Sequence, residues 1–504
     1  MEFAKKKQMT LGVILSYSTI AAELLVGLLY TPLVLHYLGQ SQYGIYSLVV
    51  SFIGYLTIFN AGANAAYIRF YVQVKETEPK RISGLNGLFL VIFLILAGIG
   101  VSAGLVITRF APQLFGDKIL PAEYQLLRQC FALLTALTGV SIMNSCFNSM
   151  VIANERFIFG KAVNCILTIV TPLATIPLLL NGFACSAVIA VRLAVSAGGL
   201  MVNIFYCIKV LKAKFVFERQ SRSFFKLLIA FIGIIFLQSV TDQINWQIDK
   251  IILARTHGTT QISVYSVGAT FNTVYMQIGM AVSGIFVAQV NRLVAKEDHP
   301  GLDDLFVRTS RINMYVCCLI MLGYTFFGKA FVTRWAGAEY SDAFLVGWLL
   351  MMPLTVTMTM GLQLEVGRAK NLHQIQIWIN SILCILNMLV SVPLAMRWGA
   401  LGSALGTFLT EILICCIVQP IYIWKVLKLD IRRTFYSLTK ILLPLFIPIA
   451  LGVTLNYFQL IQNNYLSIAV CAVIFTAVYA ASIWLFAMNN EEKGMITRII
   501  TRKK

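Results

Sequence analysis

Apolar stretches of roughly 20 to 28 residues follow one another along nearly the whole chain, each long enough to cross a bilayer core of about 30 Å as a helix. In hydrocarbon such a stretch must satisfy its own backbone N–H and C=O groups. No strand-like alternation interrupts the apolar runs, so helix is the assignment throughout. Of the 504 residues, 59% are apolar and 12% charged, and the mean hydropathy is +0.80, outside the range of soluble globular chains. The expected spans are 11–37, 43–72, 83–108, 124–151, 159–180, 184–208, 226–253, 261–289, 306–331, 342–366, 373–396, 401–424, 438–457 and 466–488. The loops between them are too short for a soluble domain.

The chain also repeats itself. A shift of 219 positions lays the segment from Glu23 to Phe52 on that from Asp242 to Phe271 without a gap. Gly39 then meets Gly258, Gln42 meets Gln261, Tyr46 and Ser47 meet Tyr265 and Ser266, and Glu23 falls on Asp242. A weaker second register, shifted by 216, brings Asn164 onto Asn380 and Pro177 onto Pro393; one residue of slippage later Gly182 meets Gly399. Spans 1–6 and 7–12 are therefore expected to be two copies of one bundle. Six is an even number, so both copies start on the same membrane side and are parallel repeats. The expected architecture is an all-α integral membrane protein of about fourteen transmembrane helices, in two parallel-repeat six-helix bundles plus two extra C-terminal helices. Its parts are residues 1–210, 211–428 and 429–504. Similar bundles with a carboxylate at matching depth form the pattern of a transporter, with substrate taken between the copies.

A net charge of +19 invites a nucleic-acid reading, and its distribution argues against one. With the N-terminus in the cytoplasm and alternating spans, most of the 40 Lys and Arg residues fall on the cytoplasmic side, as the positive-inside rule requires. The stretches Lys209 to Lys226, Arg292 to Arg311 and Lys425 to Lys440 carry much of that charge. Both termini are expected inside, the basic residues serve topology and anionic lipid, and no nucleic acid is implied. The first apolar run is too long for a signal peptide and lacks a small-residue cleavage site, so it reads as a retained span. The 11 cysteines lie mainly within spans without paired spacing, and the four histidines make no metal-ligand pattern. Neither a P-loop nor a GxSxG elbow occurs, so any energy coupling comes from an ion gradient or substrate supply.

Polar residues inside the spans are the candidates for chemistry. In span 7, Gln238, Asp242, Asn245 and Asp249 recur at spacings of 4, 3 and 4 and share a face. Span 1 answers with Thr19, Glu23, Gly27 and Tyr30; span 8 with Tyr265, Asn272 and Tyr275; span 2 with Asn60 and Asn64. Such stripes face other helices or a wet cavity. For Glu23 and Asp242 two readings stand side by side: interhelical bonding or a pair with Arg192, and a group that loads a proton or cation. Arg192 lies too deep in span 6 to snorkel, Arg69 is near the end of span 2, and Asp249, Lys250 and Arg255 approach the outer end of span 7.

Several segments resemble a known family. LGQSQYGIYSL after span 1, FNAGANAAYIRFY at the end of span 2, VIANERF between spans 4 and 5, and DQINWQIDKIILARTHGTTQISVYSVGATF in the middle are similar to the polysaccharide transporters. These are the Wzx-type flippases for O-antigen and related lipid-linked oligosaccharides, within the multidrug/oligosaccharidyl-lipid/polysaccharide (MOP) superfamily. The resemblance implies a non-enzyme of the bacterial inner membrane that turns an undecaprenyl-pyrophosphate-linked oligosaccharide from the inner to the outer leaflet. It implies no cofactor beyond H⁺ or Na⁺ coupling. The implied partners are the lipid-linked substrate, membrane lipids, a polysaccharide polymerase and glycosyltransferases. On this reading Arg192, Arg69 and Lys250 are candidates for the pyrophosphate. Asn60, Asn64, Asn245, Trp246, Tyr265, Asn272 and Tyr275, with Gln238 and Asp249, are candidates for the glycan and cavity wall, and Glu23 and Asp242 for ion coupling. The alternatives are a multidrug or metabolite antiporter, a lipid II flippase, and a membrane-embedded polysaccharide enzyme, which would need a large outer loop that the sequence lacks.

Overall fold

The computed structural model describes residues 2–115, 119–217 and 222–501. Its described elements are helical: α1 (Glu2–Thr77), α2 (Ile82–Phe115), α3 (Pro121–Ala153), α4 (Phe157–Leu180), α5 (Cys185–Phe205), α6 (Arg222–Thr256), α7 (Thr259–Gly284), α8 (Val287–Ala295), α9 (His299–Ala336), α10 (Ala343–Thr359), α11 (Leu362–Ala369), α12 (His373–Leu413), α13 (Gln419–Ile421), α14 (Ile431–Tyr457), α15 (Tyr465–Ser482) and α16 (Asn490–Thr501). Among the described residues, 11 helices are long and apolar enough to cross a membrane, or 12 if α7 and α8, bent by 43° at their junction, form one span. The protein is a multi-pass membrane protein.

The expected fourteen exceeds that number, and two broken helices account for the difference. The 76 residues of α1 contain a break at Gly39, where φ is 69° and ψ 176°. The 41 residues of α12 break at Trp398 and Gly399. A straight helix of 76 residues would be about 114 Å long, several times the hydrocarbon thickness, so a break is physically required. The sequence reading placed a span boundary at each of these points, and there the backbone has two helices meeting at a break. Glycine tolerates the left-handed φ that each break uses.

The repeat seen in sequence recurs in the backbone. Left-handed φ occurs at the matched pairs Gly39 and Gly258, Gly182 and Gly399, Glu155 and Asn371, and Lys212 and Lys428. A π-helical turn spans Tyr206–Val210 in one copy and Tyr422–Val426 in the other. After it, Ala213 N–H donates to Cys207 O, and Leu429 N–H donates to Ile423 O. The sequences YCIKVLK and YIWKVLK, 216 residues apart, encode this shared ending; the reading above did not use them.

The chain forms two compact units, Met1–Ser263 and Val264–Lys504. In the first, Tyr67, Phe70, Phe89, Phe93 and Phe147 build an aromatic core between α1, α2 and α3. Gly54 and Gly62 let α6 approach α1 closely: an added Cβ would strike Gln243 Oε1 at the first and Ile232 O at the second, the small-residue packing that membrane helices favour. The segment after the π-turn is stitched down by Val216 N–H to Ser83 O and Asn86 Nδ2–H to Lys214 O.

In the second unit α14 and α15 pack on α9 through Phe327, Leu455, Ile468, Cys471 and Phe475. Beyond them, Arg311 of α9 is buried and spends its donors on five groups. Nε bonds Glu492 Oε1 at 2.6 Å, and Nη1 reaches the Ser437 carbonyl and hydroxyl. Nη2 bonds Tyr315 Oη and the Ala487 carbonyl at 2.7 Å. The pair holds α16 against the ends of α9 and α14. Burial alone would raise the Glu492 carboxyl, but the Arg311 guanidinium, the Asn489 N–H and the Tyr315 hydroxyl together outweigh it and hold the group below the usual carboxylate range. With the folded value below the unfolded one, this stabilisation is complete above the ordinary carboxylate range and lost as pH falls through the folded value. Glu492→Gln leaves a buried guanidinium without its counter-charge, a loss of about 3–5 kcal/mol for a buried pair. The expected outcome is faster proteolytic cleavage near residue 489 in the variant at neutral pH, and in the parent only on acidification.

Candidate functional site

The polar positions of span 1 open onto a cavity in the first unit. It has a volume of about 480 Å³ and lies between α1, α4 and α5. From α1 come Thr19, Glu23, Tyr30 and, beyond the break, Tyr46. Lys161, Asn164, Thr168 and Thr171 of α4 recur at helical spacing, so a single face of that helix lines the space. Arg192 and Ser196 of α5 sit one turn apart on the third wall. The hydroxyls of Thr19, Thr168 and Thr171 donate back to Leu15 O, Asn164 O and Leu167 O within their own helices, which leaves their oxygens as acceptors toward the cavity. Its charged lining is Glu23 with Lys161 and Arg192, so cations predominate by one.

Glu23 and Arg192 are therefore brought together. Lys161 and Asn164 belong to the same wall and were absent from the sequence candidates, although the polar stripe Lys161, Asn164, Thr168 and Thr171 in an apolar helix was a readable signal.

Other candidates lie elsewhere. On α6, Gln238, Asp242 and Trp246 are exposed on one face, Asn245 is half-buried beside them, and Asp249 is buried at 1%. The expected single stripe is thus divided between surface and interior. Asp249 acts electrostatically on its neighbour Lys250, which is half-buried. None of these α6 residues lines the cavity that holds Glu23. Arg69 is exposed with its guanidinium 4.7 Å from the Phe231 ring centroid, a cation–π contact between α1 and α6.

Asn60 and Asn64 make rungs to α3. Asn60 Nδ2–H donates to Ser145 Oγ at 3.0 Å, and Asn64 Oδ1 accepts from Ser149 Oγ at 3.0 Å. The four-residue spacing on both helices gives successive interhelical hydrogen bonds. In the second unit Tyr265, Asn272 and Tyr275 are buried on α7. Tyr275 Oη–H donates to Thr355 Oγ1 of α10 at 2.7 Å. Among the described residues no group of three His, Cys, Asp or Glu gathers to hold a metal ion.

Comparison with known proteins bears on the family and the fold. The chain is 22% identical over 350 residues to a Shigella flexneri protein whose name assigns it provisionally to O-antigen transport, covering 64% of this chain and 78% of that one. Among solved structures, the lipid II flippase MurJ in an inward closed conformation superposes with a TM-score of 0.72 at 18% identity, covering 94% of this chain and 98% of that one. An inward-facing multidrug-resistance MATE transporter of the MOP superfamily gives 0.61 at 13% identity, covering 80% and 96%. Those structures share the fold. The family described as "Polysaccharide biosynthesis protein" matches residues 36–345, more than half of the 504, and the chain belongs to that family.

Proposed function

We propose that the protein is a flippase that carries an undecaprenyl-pyrophosphate-linked oligosaccharide, a repeat unit of O-antigen, capsule or exopolysaccharide, from the inner to the outer leaflet. The observation that carries this reading is the cavity between α1, α4 and α5, where two cations stand among amide and hydroxyl groups inside a membrane bundle. A pyrophosphate and a hydroxyl-rich glycan cannot enter hydrocarbon unaided, because their lost hydration is not replaced there. Arg192 and Lys161 supply charge-assisted donors for phosphate oxygens. Asn164, Thr168, Thr171, Tyr30 and Tyr46 offer donors, acceptors and ring faces to sugars, while the prenyl chain remains in lipid. Family membership and the O-antigen relative support the same substrate class.

Glu23, within reach of the same space, takes the coupling role for H⁺ or Na⁺, and Asp242, its repeat mate on α6, takes the second. Binding of a cation at Glu23 would free Arg192 and Lys161 for phosphate, and its release would restore competition between carboxylate and phosphate. Turnover follows by alternating access, with both termini in the cytoplasm, a placement that the charge distribution supports. The second reading is a lipid II flippase, favoured by the fold shared with MurJ.

Deletion of the gene should leave lipid-linked oligosaccharide in the inner leaflet and remove surface polysaccharide, with recovery on re-expression. Unaltered surface polysaccharide, together with rescue of a strain depleted of its peptidoglycan-precursor flippase, would transfer the assignment to lipid II. Arg192→Ala is expected to weaken binding of the lipid-linked substrate by about tenfold, the worth of one charge-assisted hydrogen bond; unchanged affinity in reconstituted protein removes Arg192 from the phosphate site. Glu23→Gln combined with Asp242→Asn should leave transport that no longer responds to an imposed ion gradient. Full gradient sensitivity in that double variant would end the coupling assignment.

A further inference from the structure

A second polar cavity of about 510 Å³ lies in the other unit, lined by the N-terminal parts of α9, α14 and α16. We propose that it binds the phosphodiester headgroup of an anionic membrane lipid. Its charged lining is Arg308, Arg311, Arg433 and Lys440 against Asp304, Glu491 and Glu492. These groups are not equivalent. The guanidinium of Arg311 is fully engaged by Glu492, Ser437, Tyr315 and Ala487, so it forms a rigid floor and cancels the Glu492 charge. Arg433 pairs with Asp304 at 2.6 Å, but both side chains are more than half exposed, and an exposed pair of this kind is worth little. A phosphate can therefore share Arg433 without a large penalty. Lys440 has its Nζ 4.4 Å from the Tyr436 ring centroid, and no carboxylate lies within ion-pair distance of it among the described residues. Arg308, half-buried at the wall, completes a set in which planar guanidinium groups and a point-charge ammonium converge, the usual chemistry of phosphate recognition.

The lipid source follows from what continues along α14. Arg433, Tyr436 and Lys440 are followed at helical spacing by Leu443 and Ile447, which are 73% and 45% exposed. Tyr436 is 66% exposed and has the amphipathic ring that favours the membrane–water interface. One face of α14 thus offers cations at its start and bare apolar surface beyond, matching a headgroup with acyl chains. A soluble phosphate would use the first part only.

The test is a titration of the full-length protein in detergent with short-chain phosphatidylglycerol, with phosphatidylcholine of equal chain length and inorganic phosphate as the other arms. Phosphatidylglycerol is expected to bind in preference to both. Lys440→Ala should weaken it about fivefold, the worth of one basic residue near an anionic surface, and Lys440→Glu should abolish the preference. Lys440 is exposed, so neither change threatens folding. Arg308→Ala should also weaken binding, and Arg368→Ala, outside the pocket and paired with Glu365, should leave it unchanged. Equal binding of phosphatidylcholine, or undiminished phosphatidylglycerol binding by Lys440→Glu, would overturn the proposal. Inorganic phosphate displacing the lipid at equal concentration would overturn the lipid assignment and leave a soluble-anion site.

Discussion

Inside hydrocarbon, no backbone N–H or C=O finds water, and the rest of this structure depends on that constraint. It makes the described spans helical and leaves irregular backbone few places to occur. Those places include Gly39 and Gly399, where long helices break, and the turns at Gly182 and Gly258. Side-chain polar groups obey the same rule. Asn60 and Asn64 turn to serines of α3, Ser482 donates to the carbonyl of Pro444, and threonine after threonine bonds the carbonyl four residues before it. A polar group that neither neighbour nor backbone satisfies must meet water, and this is what makes a cavity necessary around Glu23, Lys161 and Arg192.

Charge sharpens the same argument. Burying an unpaired ion is far more costly than burying an amide, and two groups of charged residues meet that cost in different ways. Arg311 and Glu492 are buried as a closed network in which each donor has an acceptor; such a network is rigid and locks α16 in place. Arg192, Lys161 and Glu23 instead share an open space, where their preferences can be met by different partners at different times. A transport site needs the second kind, and a structural clasp needs the first. The C-terminal addition, α14 with α15, brings the first kind with it, since Ser437 and the carbonyl of Ala487 belong to these elements or their ends.

Much of the fold was legible in the sequence because its causes are local or periodic. Apolar run length specifies a crossing helix, and the offsets near 216 to 219 recur as matched left-handed residues and matched π-turns. The breaks inside α1 and α12 fall between apolar runs that the sequence separates, whereas the bend between α7 and α8 lies within a single apolar run and left no mark in the pattern. The lining of the candidate cavity was legible in part. Glu23 and Arg192 stood out as charges in apolar surroundings. Their shared cavity, and the inclusion of Lys161, depend on how α4 and α5 are rotated about their axes, which no spacing rule within one helix contains.

What the sequence by itself determined is therefore the medium, the secondary structure and the internal repeat, all of which follow from transfer energies and from periodicity along the chain. Only the tertiary structure decided which polar residues satisfy one another and which are left facing a cavity. Asn60 and Asn164 look alike in sequence, each an amide in an apolar span. Helix packing brings Asn60 to Ser145 and places Asn164 on the cavity wall beside Arg192. The physical reason is that hydrogen-bond satisfaction is a property of pairs distant in the chain, whereas insertion and helicity are properties of each segment alone.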